Sequence, residues 1–188
     1  MRDAFEAAQP ELIIEVGTWK GASACYWASL LRERNVNGAV ICVDTWLGGL
    51  EHLRRETGHS PQWELDPYRK HGYPTLYYQF LANVMHEGLQ DYIVPLPNTS
   101  AIAARWLAAQ GLIAHLIYID ASHDEEDVYA DLIAYWKLLS PGGVMCGDDW
   151  HPNWPGVVNS VKRFATEQGL AIQTDRLTWA TQKPPAQT

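Results

Sequence analysis

The chain has 188 residues, 47% hydrophobic and 19% charged, and its 14 Lys and Arg face 22 Asp and Glu for a formal net charge of −8. That length suits one domain with a sizeable core. The acidic balance argues against partners that present phosphate, whether nucleic acid or an anionic membrane. Cys25, Cys42 and Cys146 are odd in number, lie in apolar stretches and form no C-x-x-C pair. They are expected to pack in the core of a cytoplasmic protein, with neither disulfides nor zinc. No apolar run approaches the roughly 20 residues that span a bilayer, and the opening MRDAFEAAQPE is polar and acidic, unlike a leader.

Strand-like runs alternate with helix-like ones. Leu12–Glu15 reads as a first strand, Ala22–Arg34 as a helix and Ala39–Asp44 as a second strand. Residues 45–74 hold Gly, Pro, Trp, His and Arg with no clean period, and a loop of that length is expected to act as a lid or substrate loop. Within it Trp46, His52, Arg55, Trp63 and Tyr68 are candidates to line a pocket. Thr75–Glu87 carries the helical stripe Leu76, Phe80, Leu81 and Val84. Then come a strand at Tyr92–Val94, a helix at Ala101–Gln110 and a strand at Leu116–Asp120.

The next helix spans Asp124–Leu139, with Val128, Leu132, Tyr135 and Leu139 on one face and Ser122 and Glu125 spaced as a capping box. Pro141-Gly142-Gly143 turns the chain into a strand at Val144–Gly147, and a helix follows at Val157–Thr166. Leu170–Gln173 and Leu177–Thr181 are expected to pair as a closing hairpin, and 183–188 reads as a flexible tail beyond a domain of 1–182. Alternation of this kind predicts an α/β fold: a Rossmann-like, doubly wound, mostly parallel sheet with helices on both faces. Ligands in such sheets bind at the carboxyl ends of the strands. Glu15, Asp44, Asp120 and the pair Asp148-Asp149 fall at those ends.

E-V-G-T-W-K-G, residues 15–21, follows the first strand. A dinucleotide turn would put a second glycine where Trp19 stands, so a ligand without pyrophosphate fits better. Glu15 would repel phosphate and attract a cation, which favours a cofactor with a positive centre and an amino group. Asp44 is placed to accept hydrogen bonds from a ribose diol. The expected cofactor-binding set is Glu15, Gly17, Thr18, Trp19, Gly21, Ser23, Asp44, Thr45, Trp46, Ser100 and Asp120. Asn98, Thr99 and Ser100 read either as the N-cap of their helix or as contacts to an adenine ring.

If the strands ending at Asp120 and at Asp148-Asp149 are neighbours, they lie roughly 4.8 Å apart and their carboxylates converge. Such a cluster calls for raised pKa values or a cation, and Mg²⁺ or another divalent ion would suit it. One Asp contacting the cofactor, with the others capping loops, is the alternative. His123 and His151 follow these strands and are candidate general bases. Two rival functions exist on such a sheet: a nicotinamide-dependent oxidoreductase, and a non-catalytic nucleotide-binding module.

In this order the segments resemble the class I S-adenosylmethionine-dependent methyltransferases. More narrowly, they are similar to a small-molecule family (methyltransferase domain 24-like) whose fourth and fifth strands read IDASHxYEDVxADL and LLxPGGVxxGDDY. The corresponding stretch here is YIDASHDEEDVYADLIAYWKLLSPGGVMCGDDWH, and the likeness runs from about Leu12 to Ala165. It implies a seven-stranded sheet with its last strand antiparallel. It also implies Glu15 and Gly17 on the methionine part of S-adenosylmethionine, and Asp44 on its ribose. Relatives that methylate sugar or catechol hydroxyls with a metal match at Asp120, Asp148 and Asp149. Some relatives carry a catalytic acid shortly after the first of these; here His123 stands in its neighbourhood. The expected function is methyl transfer to a hydroxyl of a small molecule, by a chain that could form a homodimer through exposed tryptophans.

Overall fold

The structure, a computed structural model, describes residues 1–49, 52 and 65–186. In chain order the strands are β1 (Leu12–Val16), β2 (Ala39–Asp44), β3 (Arg69–Lys70), β4 (Tyr73–Pro74), β5 (Ile93–Pro97), β6 (Ala114–Ile119), β7 (Leu139–Gly147), β8 (Gln173–Asp175) and β9 (Thr178–Gln182). Among the described residues the helices are α1 (Arg2–Ala8), α2 (Ala22–Glu33), α3 (Leu76–His86), α4 (Ser100–Ala109), α5 (Glu125–Trp136) and α6 (Pro155–Gln168), and a 3₁₀ turn covers Asp66–Tyr68.

Seven strands form the main sheet in the order β5-β2-β1-β6-β7-β9-β8, while β3 and β4 make a separate small hairpin. The first five strands of that order run parallel, and β9 lies antiparallel to both β7 and β8. This is the Rossmann-like architecture expected, with its antiparallel last strand. The order reverses between β1 and β6, and the crevice for a ligand opens at that reversal.

Two apolar layers cover the sheet because its strands are apolar on both faces. Ile13, Leu116 and Tyr118 pack with Phe5, Trp27, Leu31 and Phe80 on one side. Their neighbours Ile14, Ile117 and Ile119 pack with Leu107, Leu132, Tyr135 and Phe164 on the other. Adjacent residues of one strand thus feed opposite layers. Edge strand β5 carries Pro95 and Pro97 opposite Cys42 and Asp44 of β2. Among the described residues no helix is long and apolar enough to cross a membrane.

Several expected boundaries move. The helix α5 ends at Trp136, and Leu139 opens β7 instead of closing the helical face. Lys183 explains the stop, because its Nζ donates to the carbonyls of Trp136 at 2.9 Å and Leu139 at 2.7 Å. The first residue of the expected tail therefore ties down the end of a helix. The capping box does not form: Asp124 takes the N-cap position. Ser122 Oγ donates to Asp127 and accepts from the Asp124 N–H, and Glu125 receives a bond from Asn159 on α6. The strand expected at Tyr92–Val94 runs on through Pro97. The closing hairpin shifts toward the C-terminus because the Leu177 carbonyl accepts from Trp150 N–H at 2.7 Å, which places Leu177 in the turn.

Asp131, buried on α5, has its carboxyl pushed up to about 6 by burial, against a bond from Ser100 that works the other way. A raised acid pKa means the folded chain keeps a proton that the unfolded chain releases. That contribution is whole below about pH 4 and is lost as pH rises through about 6. Asp131→Asn should remove it. The stability difference between variant and parent, from urea midpoints, is expected to shift in the variant's favour by about 2 to 3 kcal/mol between pH 4 and pH 7.

Candidate active site

The turn after β1 is built by contacts inside the chain. Gly17 has φ +84°, and a Cβ there would overlap the backbone carbonyl of Asp120, so the loop after β6 packs directly against the turn. Gly17 N–H donates to the Val43 carbonyl at 2.9 Å. Gly21 has φ +85°, and a Cβ there would stand 2.7 Å from the Phe80 ring on α3. Trp19 also takes a left-handed conformation, φ +51°. Its cost is met by Asp44, whose Oδ2 accepts from the N–H groups of Thr18 at 2.9 Å and Trp19 at 2.8 Å. Asp44 Oδ1 accepts from Trp46 N–H at 2.7 Å. The carboxylate expected to meet a ribose is thus also the brace of the turn.

Glu15 lies beneath this turn and is 0% exposed. In the sheet it stands between Cys42 of β2 and Tyr118 of β6. Ser23 Oγ donates to its Oε1 at 3.0 Å. Among the described residues Oε2 has no hydrogen-bond partner, and neither has the buried hydroxyl of Thr18. Burial pushes the Glu15 carboxyl well above the usual carboxylate range, the nearby hydroxyls of Ser23 and Thr18 oppose, and the like charges of Asp120 and Asp44 add to the rise.

A second group forms where β6 and β7 end side by side, with Ile119 opposite Gly147. Asp120, His123 and Asp149 each offer one donor atom, and the three lie within 4.8 Å of one another. His123 Nε2 is 2.6 Å from Asp149 Oδ2, and its ring stacks on Trp154 with centroids 4.0 Å apart. This set differs from the expected Asp120, Asp148 and Asp149. Asp149 adopts a left-handed conformation, φ +59°, and His123, not Asp148, completes the group. Asp148 still borders the shallow open cleft that Asp120, Ser122, His123, Asp149 and Trp179 also line. Burial, then the charges of Asp149 and Asp148, push the Asp120 carboxyl up to about 7. Burial also raises that of Asp148.

The other candidates are placed unequally. His151 does not border the cleft; its Nδ1 accepts from Asn153 N–H at 3.2 Å and its carbonyl from Trp154 N–H at 2.8 Å, shaping the loop that presents Trp154. Trp46 is buried among Tyr77 and Phe80 and donates from Nε1 to the Trp19 carbonyl at 2.8 Å. Thr45 Oγ1 receives Leu47 N–H. Ser100 opens α4 and its carbonyl receives the Tyr135 hydroxyl, while Thr99 caps the helix. His52 stacks on Trp19 at 4.3 Å, and Lys20 Nζ sits 4.4 Å over the Tyr68 ring. Arg55 and Trp63 lie outside the described residues, as do residues 50, 51 and 53–64 of the 45–74 loop. Of the tryptophans, Trp106 is half exposed, whereas Trp27, Trp46 and Trp179 are buried. Two contributors were missed. Trp154 had a weak signal, being next to Pro155 at a helix start; Trp179 had none, since it reaches the cleft from β9.

A doubly wound sheet with its switch-point turn and strand-end acids defines a Rossmann-like methyltransferase fold. A family model described as a methyltransferase domain matches residues 14–150, and the chain belongs to that family. The fold is shared with the O-methyltransferase NovP, at 19% identity and TM-score 0.71 over 97% of this chain and 77% of that one. It is shared too with an O-methyltransferase from Bacillus cereus in complex with SAH, at 17% identity and TM-score 0.64 over 95% and 77%. CalS11, a TDP-rhamnose 3′-O-methyltransferase of calicheamicin biosynthesis, is similar at 17% identity and TM-score 0.63 over 96% and 76%. None of the curated proteins matches the chain.

The two glycines of the turn should respond differently to alanine. At Gly17 the added Cβ meets backbone, which cannot move aside, and φ is positive. Gly17→Ala should cost about 3 kcal/mol or more. Gly21→Ala meets a side-chain ring and should cost about 1 to 2 kcal/mol. Chemical denaturation of both variants checks the ranking, and equal losses would refute it.

Proposed function

We propose that the chain transfers a methyl group from S-adenosylmethionine to an oxygen of a small molecule. The observation that carries this reading is the buried Glu15 Oε2, a polar atom without a partner among the described residues, at the base of the turn. It suits a ligand that brings a cationic amino group, and no pyrophosphate would tolerate it. When bound, the cofactor supplies an electrophilic methyl on a sulfonium. The chain's residues hold and align it. Glu15 receives the amino group and the Gly17–Gly21 turn follows the methionine part. Asp44 braces that turn with three bonds and keeps roughly one of a carboxylate's four acceptor sites for a ribose hydroxyl. Alignment of two reactants alone contributes several kcal/mol to such a transfer.

His123 is the proton acceptor in this proposal. Its 2.6 Å contact with Asp149 and its stack on Trp154 support a ring held in one orientation beside the cleft. A second reading rests on the same three donors. Two carboxylate oxygens and an imidazole nitrogen within 4.8 Å fit a divalent cation, and the nitrogen favours a transition ion over Mg²⁺. Asp120, His123 and Asp149 would hold it, and it would supply Lewis acidity to an acceptor hydroxyl. The site belongs to a single domain over 1–182, with the 45–74 segment as its lid.

Calorimetric titration of S-adenosylmethionine, S-adenosylhomocysteine and NAD tests the cofactor. The first two should bind, and Asp44→Ala should weaken them at least tenfold; binding of NAD alone would overturn the reading. Titration of Mn²⁺ and Mg²⁺ into the parent and into Asp149→Asn separates the two roles of His123. Binding that the variant loses supports the cation, and no binding to the parent leaves the base.

A further inference from the structure

We infer that Glu15 couples cofactor binding to proton release: in the free chain it stands as a carboxylic acid, and it gives that proton to solvent when the cofactor's ammonium arrives. The inference rests on the cofactor reading above and adds to it a proton that the binding equilibrium must carry.

The argument is geometric. Glu15 is buried at the centre of the sheet, on the strand between β2 and β6. Its described hydrogen-bond partner is Ser23 Oγ, on one oxygen only. Among the described residues no Lys, Arg or His forms an ion pair with it. An ionised carboxylate so placed would be a buried charge without a counter-charge, which folded chains avoid by keeping the proton.

Every titratable group that faces Glu15 works in the same direction or is neutral. From the ends of β2 and β6, Asp44 and Asp120 present negative charge. Cys42 on β2, Cys25 on α2, Tyr118 on β6 and Cys146 on β7 face it as well, and burial raises all four so that they stay uncharged near neutrality. Burial of Glu15 itself leads the causes that raise its own carboxyl.

An ammonium placed on Oε2 reverses this balance, because a cation within hydrogen-bond reach favours the charged form of an acid. The O–H bond of the acid breaks, its proton goes to the buffer, and a carboxylate–ammonium pair remains. The charge brought in by the ligand is thereby retained, and the proton leaves in its stead. By linkage, affinity should rise about tenfold per pH unit over the range in which free Glu15 is protonated and bound Glu15 is not.

The test is calorimetry at pH 6.5, where the ligand's amino group is charged, in buffers of different ionisation enthalpy. S-adenosylhomocysteine carries the amino group on a neutral thioether; 5′-methylthioadenosine keeps the thioether and adenosine but lacks the amino acid portion. Release of about one proton is expected with S-adenosylhomocysteine and about none with 5′-methylthioadenosine. Glu15→Gln, which keeps the Ser23 contact, should bind S-adenosylhomocysteine with about no release. Binding of S-adenosylhomocysteine without release overturns the inference, as does release that persists with 5′-methylthioadenosine or in the variant. If the variant does not fold, the two ligands on the parent chain still decide. Failure of S-adenosylhomocysteine to bind at all removes the cofactor reading itself, an outcome distinct from binding without protons.

Discussion

The contact on which the site depends is the one between Gly17 and the carbonyl of Asp120. At position 17 any side chain would collide with that carbonyl, so only glycine lets the turn after β1 close against the loop after β6. The closure falls where the strand order reverses, at the one place in the sheet where two neighbouring crossovers leave in opposite directions. It joins two groups of residues from different halves of the chain. On one side stand Glu15, the turn and Asp44; on the other, Asp120, His123 and Asp149. Neither half could present both, and loosening the contact would separate the two groups.

Around this closure the chain accumulates negative charge that water does not fully reach. Asp44 resolves its share through three backbone N–H groups. Asp149 resolves its share on the imidazole of His123. Glu15 has one bond from Ser23 and Asp120 only the nearby His123, and burial raises both carboxyls. The acids therefore divide into those that organise the backbone and those whose charge awaits something from outside. That division follows from burial and hydrogen bonding, not from residue type.

Much of this was legible in the sequence, for identifiable reasons. Strand runs such as AVICVD carry their period and their terminal acid together, so β2 and Asp44 could be read directly. The glycines around Trp19 marked the turn, and the tight packing of Gly17 against the Asp120 carbonyl adds a reason for the first of them. The capping box failed because Ser122 and Glu125 had competing partners, Asp127 beside them and Asn159 on α6, which local spacing does not register. The end of α5 was missed because Lys183, remote in sequence, supplies the stop. Beside the expected Asp120 and Asp149 the structure brings in His123, while Asp148 borders the same cleft. A count of strand-end acids cannot foresee that a left-handed Asp149 turns toward His123. Trp179 could not be read at all, since its approach to the cleft depends on β9 folding back beside β7.

The prolines of β5 carry a consequence for how copies of the chain can meet. Asn98 donates to Asp44 and the Tyr92 carbonyl accepts from Val40, so the even-numbered residues of this strand face β2. Pro95 and Pro97 therefore face outward, and the free margin of the sheet lacks two of its donors. A further strand cannot be laid along it in register. Continuous sheets running through several molecules, the common route to ordered aggregates, are closed to this margin. Any association there must be made by side chains on the flanking helices, where Ile102 and Trp106 of α4 stand half exposed.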